Sequence, residues 1–241
     1  MSYSTVGRIG DQVLFDTWDV YYNACGDLIE MKPLAGTVSA SYARRGLSSF
    51  RLYHHDIDPK TLEMSFYVGG NDADEVEANV STILARAKQC IIKTSKTDYE
   101  YPAVLTGYTD TETGVENYHL LVLRFAALKR LPMVEQTFQG TGNGNVQNLL
   151  AQGTAETGCK LEVTFTSAQE TALVQGITIK NVPANTPFVI DGIEGKVECN
   201  GENRLEDTDL IKFPTLTGGA VNLIDLPLGC TCKISYYPTF M

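Results

Sequence analysis

The sequence predicts a mainly β protein of the α+β class, with one helix in its first part and a β-sandwich in its second. Two observations carry this prediction. Only one segment of the 241 residues has the apolar spacing of a helix. Most of the remaining chain alternates apolar with polar residues or carries turn signals, and short strands separated by turns are typical of a sandwich.

Composition excludes several classes of protein. The chain has 19 Lys and Arg against 29 Asp and Glu, a formal charge of −10, and 43% of its residues are hydrophobic. That apolar content excludes a disordered acidic tail. Residues 1–134 hold 13 basic and 17 acidic residues, and residues 135–241 hold 6 and 12, so both parts are acidic. We therefore expect no stable nucleic-acid binding and no membrane association.

The helix is predicted over residues 72–90. The segment Asn71-Asp-Ala-Asp-Glu75 supplies capping side chains and early negative charge. An apolar stripe follows at helical spacing, formed by Val76, Val80, Ile83, Leu84 and Ala87. We expect this stripe to pack on the sheet of its own domain, with Gly69-Gly70 joining a strand to the helix.

The rest of the first domain is predicted as strands. A short strand covers residues 63–68, and residues 99–108 and 117–128 form a long hairpin around a turn at residues 109–114. The segment 34–49 is rich in Ala, Gly and Ser and has weak periodicity of either kind. It is therefore interpreted as a mobile loop or as a segment ordered by a neighbouring subunit.

A domain boundary is predicted near Leu131-Pro-Met133, which gives domains 1–134 and 135–241. The Gly- and Asn-rich stretch 139–145 follows it and is typical of a linker or turn. Beyond it the pattern is β throughout. Leu161, Val163 and Phe165 alternate with polar residues, and Asn200-Gly201 predicts a tight turn after a short strand.

The six cysteines are predicted to be reduced thiols, because they are sparse in a long chain whose first residues lack the pattern of a signal peptide. We accordingly expect synthesis in a cytoplasm. On a strand, Cys230 and Cys232 would share one face with Ile234, which favours buried small side chains over metal ligands. The full set is Cys25, Cys90, Cys159, Cys199, Cys230 and Cys232.

The sequence offers little for catalysis. The only histidines are His54, His55 and His119, and the adjacent pair would point to opposite faces of a strand. The segment 140–144 has no Walker lysine, and the acids after residue 71 lack the glycine of a calcium loop. The carboxylate pairs at 56 and 58 and at 207 and 209 fit surface turns. We predict no catalytic, cofactor-binding or metal-binding residue and no enzyme activity.

A β-sandwich can also bind sugar, so a carbohydrate-binding adhesin stays open as an alternative. Sugar sites commonly combine aromatic side chains with polar groups. The only tryptophan, Trp18, lies in the first domain, and residues 135–241 contain no Trp and no His.

The order of motifs near the C-terminus resembles a known family. Ile190-Asp-Gly leads through a hairpin to Asn200-Gly201, then come Phe213-Pro-Thr-Leu216, Asn222-Leu-Ile224 and Ile234-Ser-Tyr-Tyr-Pro238. This order, after a domain with one helix and a long hairpin, is similar to the distal tail protein (Dit) family of long, non-contractile phage tails. The resemblance covers nearly the whole chain.

The resemblance implies a structural virion protein made in the host bacterial cytoplasm. Family members form a hexameric ring at the tail tip, with a β-barrel-like belt domain (here 1–134) around a channel for DNA. The second domain (here 135–241) is a galectin-like β-sandwich. The implied partners are other copies of the chain, the tail tube protein, a tail-tip hub or tail-associated protein and, in many phages, a receptor-binding protein. No cofactor is implied.

In such a ring, the segments 34–49 and 109–114 are candidates for subunit or channel contacts. A tail-tube or tail-assembly protein is a further alternative, which the C-terminal sandwich disfavours.

Overall fold

The computed structural model describes residues 12–240 except 36–37, 46–48, 58 and 143, and it describes only the backbone of residues 38–45 and 49–57. The chain divides into two compact units, unit 1 (Met1–Lys129) and unit 2 (Arg130–Met241). Both units are built mainly from antiparallel strands, as the sequence predicts. Within the described residues, neither α-helix is long and apolar enough to cross a membrane.

Unit 1 contains two helices and nine strands within its described part, and a tenth short strand lies at the boundary with unit 2. They are β1 (Val13–Phe15), β2 (Trp18–Asp19), α1 (Val20–Ala24), β3 (Gly26–Met31), β4 (Val38–Arg45), β5 (Ser49–Ile57), β6 (Lys60–Gly69), α2 (Ala73–Ala87), β7 (Gln89–Thr94), β8 (Thr97–Glu112), β9 (Tyr118–Ala127) and β10 (Lys129–Arg130).

Unit 2 is β throughout, apart from one 3₁₀ turn at Leu205–Asp207. Its strands are β11 (Val134–Gln139), β12 (Gln147–Leu150), β13 (Glu156–Phe165), β14 (Gln169–Val174), β15 (Ile177–Val182), β16 (Phe188–Asp191), β17 (Lys196–Cys199), β18 (Glu202–Asn203), β19 (Thr215–Thr217), β20 (Val221–Ile224), β21 (Cys230–Tyr236) and β22 (Thr239–Phe240).

The predicted helix is confirmed as α2, and its capping follows the sequence. The Asp72 carboxylate accepts a hydrogen bond from the Glu75 backbone N–H at 2.9 Å, and the Glu75 carboxylate accepts one from the Asn71 N–H at 2.7 Å. The first bond satisfies an N–H group that a helix start leaves without a partner, and the second ties the residue before the N-cap to the first turn. The helix ends at Ala87 rather than residue 90, because Gln89 already pairs with β8 as the first residue of β7.

Replacing Asp72 by alanine should lower the free energy of unfolding by about 1 kcal/mol, since it removes the N-cap of α2. Chemical denaturation followed by Trp18 fluorescence measures this loss in unit 1. Asp72→Asn keeps an oxygen that accepts the same hydrogen bond, so it should recover most of the stability. Equal stability of the alanine and wild-type chains would contradict the capping role.

The sheet of unit 1 has the strand order β2-β1-β7-β8-β9-β6-β3, all antiparallel. One face of β6 and β9 is buried together with the apolar stripe of α2, as expected from the helix pattern. Burial of alternate residues is complete along both strands: Leu62, Met64, Phe66 and Val68 on β6, and Leu121, Leu123, Phe125 and Ala127 on β9. This rigid sheet positions the features described below.

The long hairpin is confirmed, but its turn is shorter than predicted. Residues 109–112 continue β8 and pair with residues 119–122 of β9, so only residues 113–117 form the turn. The composition Thr-Asp-Thr-Glu is typical of a turn, but pairing with β9 places these residues in a strand. The predicted contact loop at 109–114 is therefore mostly strand.

The segment 34–49 contains β4, so the interpretation as a loop is wrong for residues 38–45. β4 pairs with β5 in a two-stranded antiparallel sheet, from Val38 opposite Ile57 to Arg45 opposite Ser49. A register shift between Ser41 and Tyr42 interrupts the alternation, which explains the weak periodicity of the sequence. Ordering of this hairpin by a neighbouring subunit stays a prediction.

Unit 2 has one large sheet, β11-β21-β13-β16-β17-β18 with β19 beside β13, and two ribbons, β12–β20 and β14–β15. Buried residues of the sheet and of both ribbons form a single core. The predicted alternation in β13 and the tight turn at Asn200-Gly201 are confirmed, and both turn residues have positive φ. The galectin-like detail stays a prediction.

The stretch 139–145 lies inside unit 2, between β11 and β12, so its interpretation as an interdomain linker is wrong and that as a turn holds. Gly140 donates its N–H to the Cys230 carbonyl at 2.8 Å, and the Asn145 N–H donates to the Gly142 carbonyl at 3.0 Å. The glycines allow the chain to turn tightly within one unit. They do not provide flexibility between units.

Candidate assembly surface

The histidines do not form a catalytic group in the described part of the chain. His54 and His55 both lie on β5, whose side chains are outside the described residues. His119 lies on β9 with its Nδ1 2.9 Å from a carboxylate oxygen of Asp110 on β8. No serine or cysteine nucleophile is bonded to this pair among the hydrogen bonds of the described residues.

The cysteines are free thiols, and five of the six are buried. Cys230, Cys232 and Ile234 share the buried face of β21, as the alternation predicts. Burial raises the pKa of Cys90, Cys159 and Cys232 to about 12, which disfavours the thiolate needed for nucleophilic attack or metal binding. Among the described residues no group of His, Cys, Asp and Glu has the arrangement of a metal site.

The carboxylates at 207 and 209 hold the 3₁₀ turn on β15. Asp207 accepts a hydrogen bond from the Asn181 side chain at 2.8 Å and bonds Arg204, and these contacts lower its pKa. Asp209 accepts the Thr178 backbone N–H at 2.6 Å, and hydrogen bonding from Thr178 lowers the pKa of Asp209. Their partners are structural, as expected for surface turns.

One concave surface of unit 1 is described, and its lining offers little chemistry. A shallow open depression of about 540 Å³ in unit 1 is lined mainly by apolar residues, with Cys90 and Asp16 at its side. Asp16 accepts a hydrogen bond from the Ile91 backbone N–H at 2.9 Å, so its carboxylate holds a turn. In unit 2, Phe165, Phe188 and Tyr236 are buried, and the other described aromatic side chains are half-buried.

The feature that stands out in unit 1 is a pair of unpaired sheet edges. β3 is the last strand of the sheet, and it pairs only with β6 among the described residues. β7 covers β8 only as far as Val104, so residues 106–112 of β8 have β9 on one side and no described strand on the other. Exposed edges of this kind present free backbone N–H and C=O groups to another chain.

The two edges lie directly opposite each other across the sheet. Residues that pair from strand to strand form a row across β3, β6, β9 and β8, and one such row is Leu28–Phe66–Leu121–Asp110. We call the two edges level because the same rows connect them. The row toward one end of the strands begins at Gly26 and finishes at Glu112, and the row toward the other end begins at Met31 and finishes at Tyr108. A bulge between Leu28 and Glu30 is the one irregularity of β3 in this register.

The backbone groups of these rows point outward on both edges. The Thr113 N–H donates to the Tyr118 carbonyl at 3.1 Å. Because bonded and non-bonded pairs alternate in antiparallel strands, the N–H and C=O of Asp110 and Glu112 face away from β9. On β3 the Lys32 N–H donates to the Glu63 carbonyl at 2.9 Å, so the groups of Met31 face away from β6.

The polar face of these strands is held by an ion-pair network. The Glu63 carboxylate on β6 bonds Lys32 and accepts a hydrogen bond from Arg124 Nε at 2.9 Å. The hydrogen bond from Lys32 lowers the pKa of Glu63 the most, and the hydrogen bond from Arg124 lowers it further. The network joins the connection after β3 to β6 and β9, which stiffens the level part of the sheet.

Sequence reasoning missed the edges because no single residue marks them. No periodic signal was available either: Thr109 to Glu112 are all polar and exposed, and the bulge between Leu28 and Glu30 interrupts the alternation of β3. Only the strand order shows that both segments lack an outer neighbour within the described chain.

The fold defined by these two units is that of phage distal tail and baseplate proteins. The crystal structure of the Dit protein of phage SPP1, described as a paradigm of the hub adsorption apparatus in phages that infect Gram-positive bacteria, superposes with a TM-score of 0.74 and 13% identity, covering 96% of this chain and 99% of that one. The resemblance inferred from the motifs is thus confirmed at the level of the fold.

A chain of the phage P2 baseplate in its activated conformation is also similar in fold. One structure with Ca gives a TM-score of 0.53 at 11% identity over 94% of this chain and 98% of that one. A second with Sr gives 0.50 at 12% identity over 93% and 97%. No family model and no curated protein matches the sequence.

Proposed function

We propose that this chain is a non-enzymatic structural protein of a phage tail tip, whose unit 1 closes into a hexameric ring around a channel for DNA. The observation that carries the proposal is the pair of level, unpaired edges on one four-stranded sheet. The shared fold with the SPP1 Dit protein supports the same role.

The edges suit a head-to-tail contact between copies. Along β8, β9, β6 and β3 each strand is antiparallel to the next, so β3 runs antiparallel to β8. A second copy that places its β8 beside β3 of the first therefore continues the alternation. A head-to-tail contact closes into a ring when its rotation divides a full turn. Closure pairs both of these edges in every copy, which removes the aggregation risk that they present.

The remaining partners follow from the resemblance. The ring joins the tail tube protein to the tail-tip hub or tail-associated protein, and in many relatives it also holds a receptor-binding protein. The charge of −10 suits a channel that DNA crosses without binding, because carboxylates repel phosphate. We assign the galectin-like sandwich to unit 2. The whole protein is located at the tail tip of the virion.

Imaging of assembled particles with this protein labelled tests the role. The expected result is one ring of six copies at the distal end of the tail, and native mass spectrometry of the purified chain should give the same copy number. A chain that stays monomeric at high concentration and is missing from assembled tails would contradict the proposal.

A further inference from the structure

The β12–β20 ribbon of unit 2 exposes apolar side chains on its outer face. On its inner face, Leu149 and Ile224 are fully buried in the core. On the outer face, Leu150 lies opposite Val221, and Leu223 lies two residues further along β20. Leu150, Val221 and Leu223 are 64%, 57% and 61% exposed. We call these three residues the apolar triad.

The outer face of the large sheet of unit 2 has the opposite character. The Lys233 ammonium lies 3.5 Å from the Glu135 carboxylate and 3.6 Å from the Glu162 carboxylate. Outward positions of a sandwich are normally polar, so the apolar triad departs from the pattern, and clustered exposed apolar side chains mark binding surfaces. The outward residues of β11, β13 and β21 are all polar: Glu135, Thr137, Gln139, Lys160, Glu162, Thr164, Thr231, Lys233 and Ser235.

The two strands of the ribbon also lie in segments with almost no charge. Residues 140–155 contain no Lys, Arg, Asp or Glu, and residues 213–232 contain only Asp225, although 20% of the whole chain is charged. The Asp225 carboxylate accepts a hydrogen bond from the Gly144 N–H at 3.0 Å, so it is used inside unit 2. These segments offer no ion pair to a charged partner, and the surface that complements them is uncharged and apolar.

The ribbon has an open edge beside the apolar triad. β12 pairs only with β20 among the described strands. The Ala151 N–H donates to the Ala220 carbonyl at 3.2 Å, so the N–H and C=O groups of Asn148 and Leu150 face away from β20. The edge on β20 is already used, because the Gln175 side chain donates to the carbonyl of Leu223 at 3.2 Å.

The size of this surface decides between possible occupants. β12 and β20 have four residues each, so the ribbon spans about 13 Å. A stable contact between two folded proteins takes about 20–30 residues on each side, far more than this ribbon offers. An extended segment needs less surface, because its main chain bonds the edge while its alternate side chains fill the neighbouring apolar surface.

We propose that the ribbon is a docking site for an extended, uncharged segment of another protein. The segment adds to β12 as a strand, and its main chain bonds the outward N–H and C=O groups of Asn148 and Leu150. Side chains alternate along a strand, so every second residue of the segment covers the apolar triad and is apolar. The site lies in unit 2 and does not depend on the edge pairing in unit 1 that builds the proposed ring.

Titration of the full ¹⁵N-labelled chain with a defined peptide, followed by nuclear magnetic resonance, tests the site. The probe is Thr-Val-Thr-Val-Thr-Val-Thr with blocked ends and an uncharged polyethylene glycol tail. Saturable binding should slow hydrogen exchange of the Asn148 and Leu150 N–H groups at least tenfold, because both become bonded in the added strand. The peptide with serine in place of valine should bind at least tenfold more weakly.

Replacing all three residues of the apolar triad by serine should weaken binding of the valine peptide at least tenfold, since the edge is kept and the apolar cover is lost. The matched control also removes three exposed apolar side chains, from turns outside the ribbon, and should bind as the wild type. It is the variant Ile193→Ser, Leu205→Ser, Ile211→Ser.

The backbone edge has its own pair of variants. Asn148→Pro removes an N–H that faces away from β20, so it should weaken binding at least tenfold without breaking a bond of the ribbon. Asn148→Ala keeps that N–H and should bind as the wild type.

No saturable binding at millimolar peptide, or equal binding by the triad variant, would overturn the proposal. So would self-association of the chain that the triad variant loses in sedimentation velocity, because the occupant would then be a second copy. Rings of unit 1 should form in all of these variants, so failure of this docking site and failure of the proposed ring are distinguishable.

Discussion

Replacing Asp110 by proline should abolish ring formation while leaving the monomer folded. The Asp110 N–H faces away from β9, so proline removes no bond within the sheet. It removes one donor from the edge that the next copy uses, and its ring blocks close approach of a strand. We expect the concentration needed for assembly to rise at least tenfold, measured by native mass spectrometry and light scattering.

The matched control is Asp110→Ala. It loses the same carboxylate, including its contact with His119, but keeps the outward N–H, so rings should still form. Circular dichroism should show the same strand content in both variants. Rings formed equally well by the proline variant would show that β8 is not the edge in use.

Replacing Gly140 by alanine should cost about 3 kcal/mol or more, the largest effect expected of a single methyl group in unit 2. A Cβ at this position would lie 1.8 Å from the Pro227 carbonyl oxygen and 2.9 Å from Cys230 Sγ. The oxygen belongs to the backbone, so relief requires the end of β11 or the start of β21 to move. Hydrogen exchange of β21 in the full chain measures the loss.

Gly144→Ala is the comparison for this prediction. Gly144 has φ +87° but open space around its Cα, so alanine meets only the cost of left-handed backbone, about 1 kcal/mol. A similar loss for both variants would mean that backbone conformation, and not the close approach at Gly140, limits this turn.

The elements that the sequence predicts well are those fixed by local periodicity. The stripe of α2, the alternation of β13 and the Asn200-Gly201 turn each depend on neighbours within a few residues, and each is confirmed. The end of α2 is set instead by the pairing of Gln89 with Val104, a tertiary contact that the helical spacing does not contain.

The wrong predictions share one cause. The composition of a segment does not show which strand or backbone group lies against it. Residues 109–112 look like a turn, but β9 supplies a ladder of pairs that makes them strand. The glycines after Gln139 look like a linker, yet Gly140 is small because the Pro227 carbonyl lies against it. The candidate assembly surface was out of reach for the same reason, since an unpaired edge is a property of strand order.

Cross-linking across the predicted contact tests the ring most directly. Asp27 of β3 and Thr111 of β8 share a row through Tyr67 and Leu120, so in one copy they lie three strand spacings, about 14 Å, apart and cannot form a disulfide. In adjacent copies of the ring they face each other as a non-bonded pair, about 4.5 Å between Cα atoms.

The chain Asp27→Cys, Thr111→Cys, with exposed Cys25 changed to serine, should therefore give a disulfide-linked ladder of bands that stops at six copies. Each single-cysteine variant should give no ladder. Rings that form in the microscope but leave both thiols free would contradict pairing of β3 with β8 and, with it, the central claim that two level edges of one sheet build the tail-tip ring.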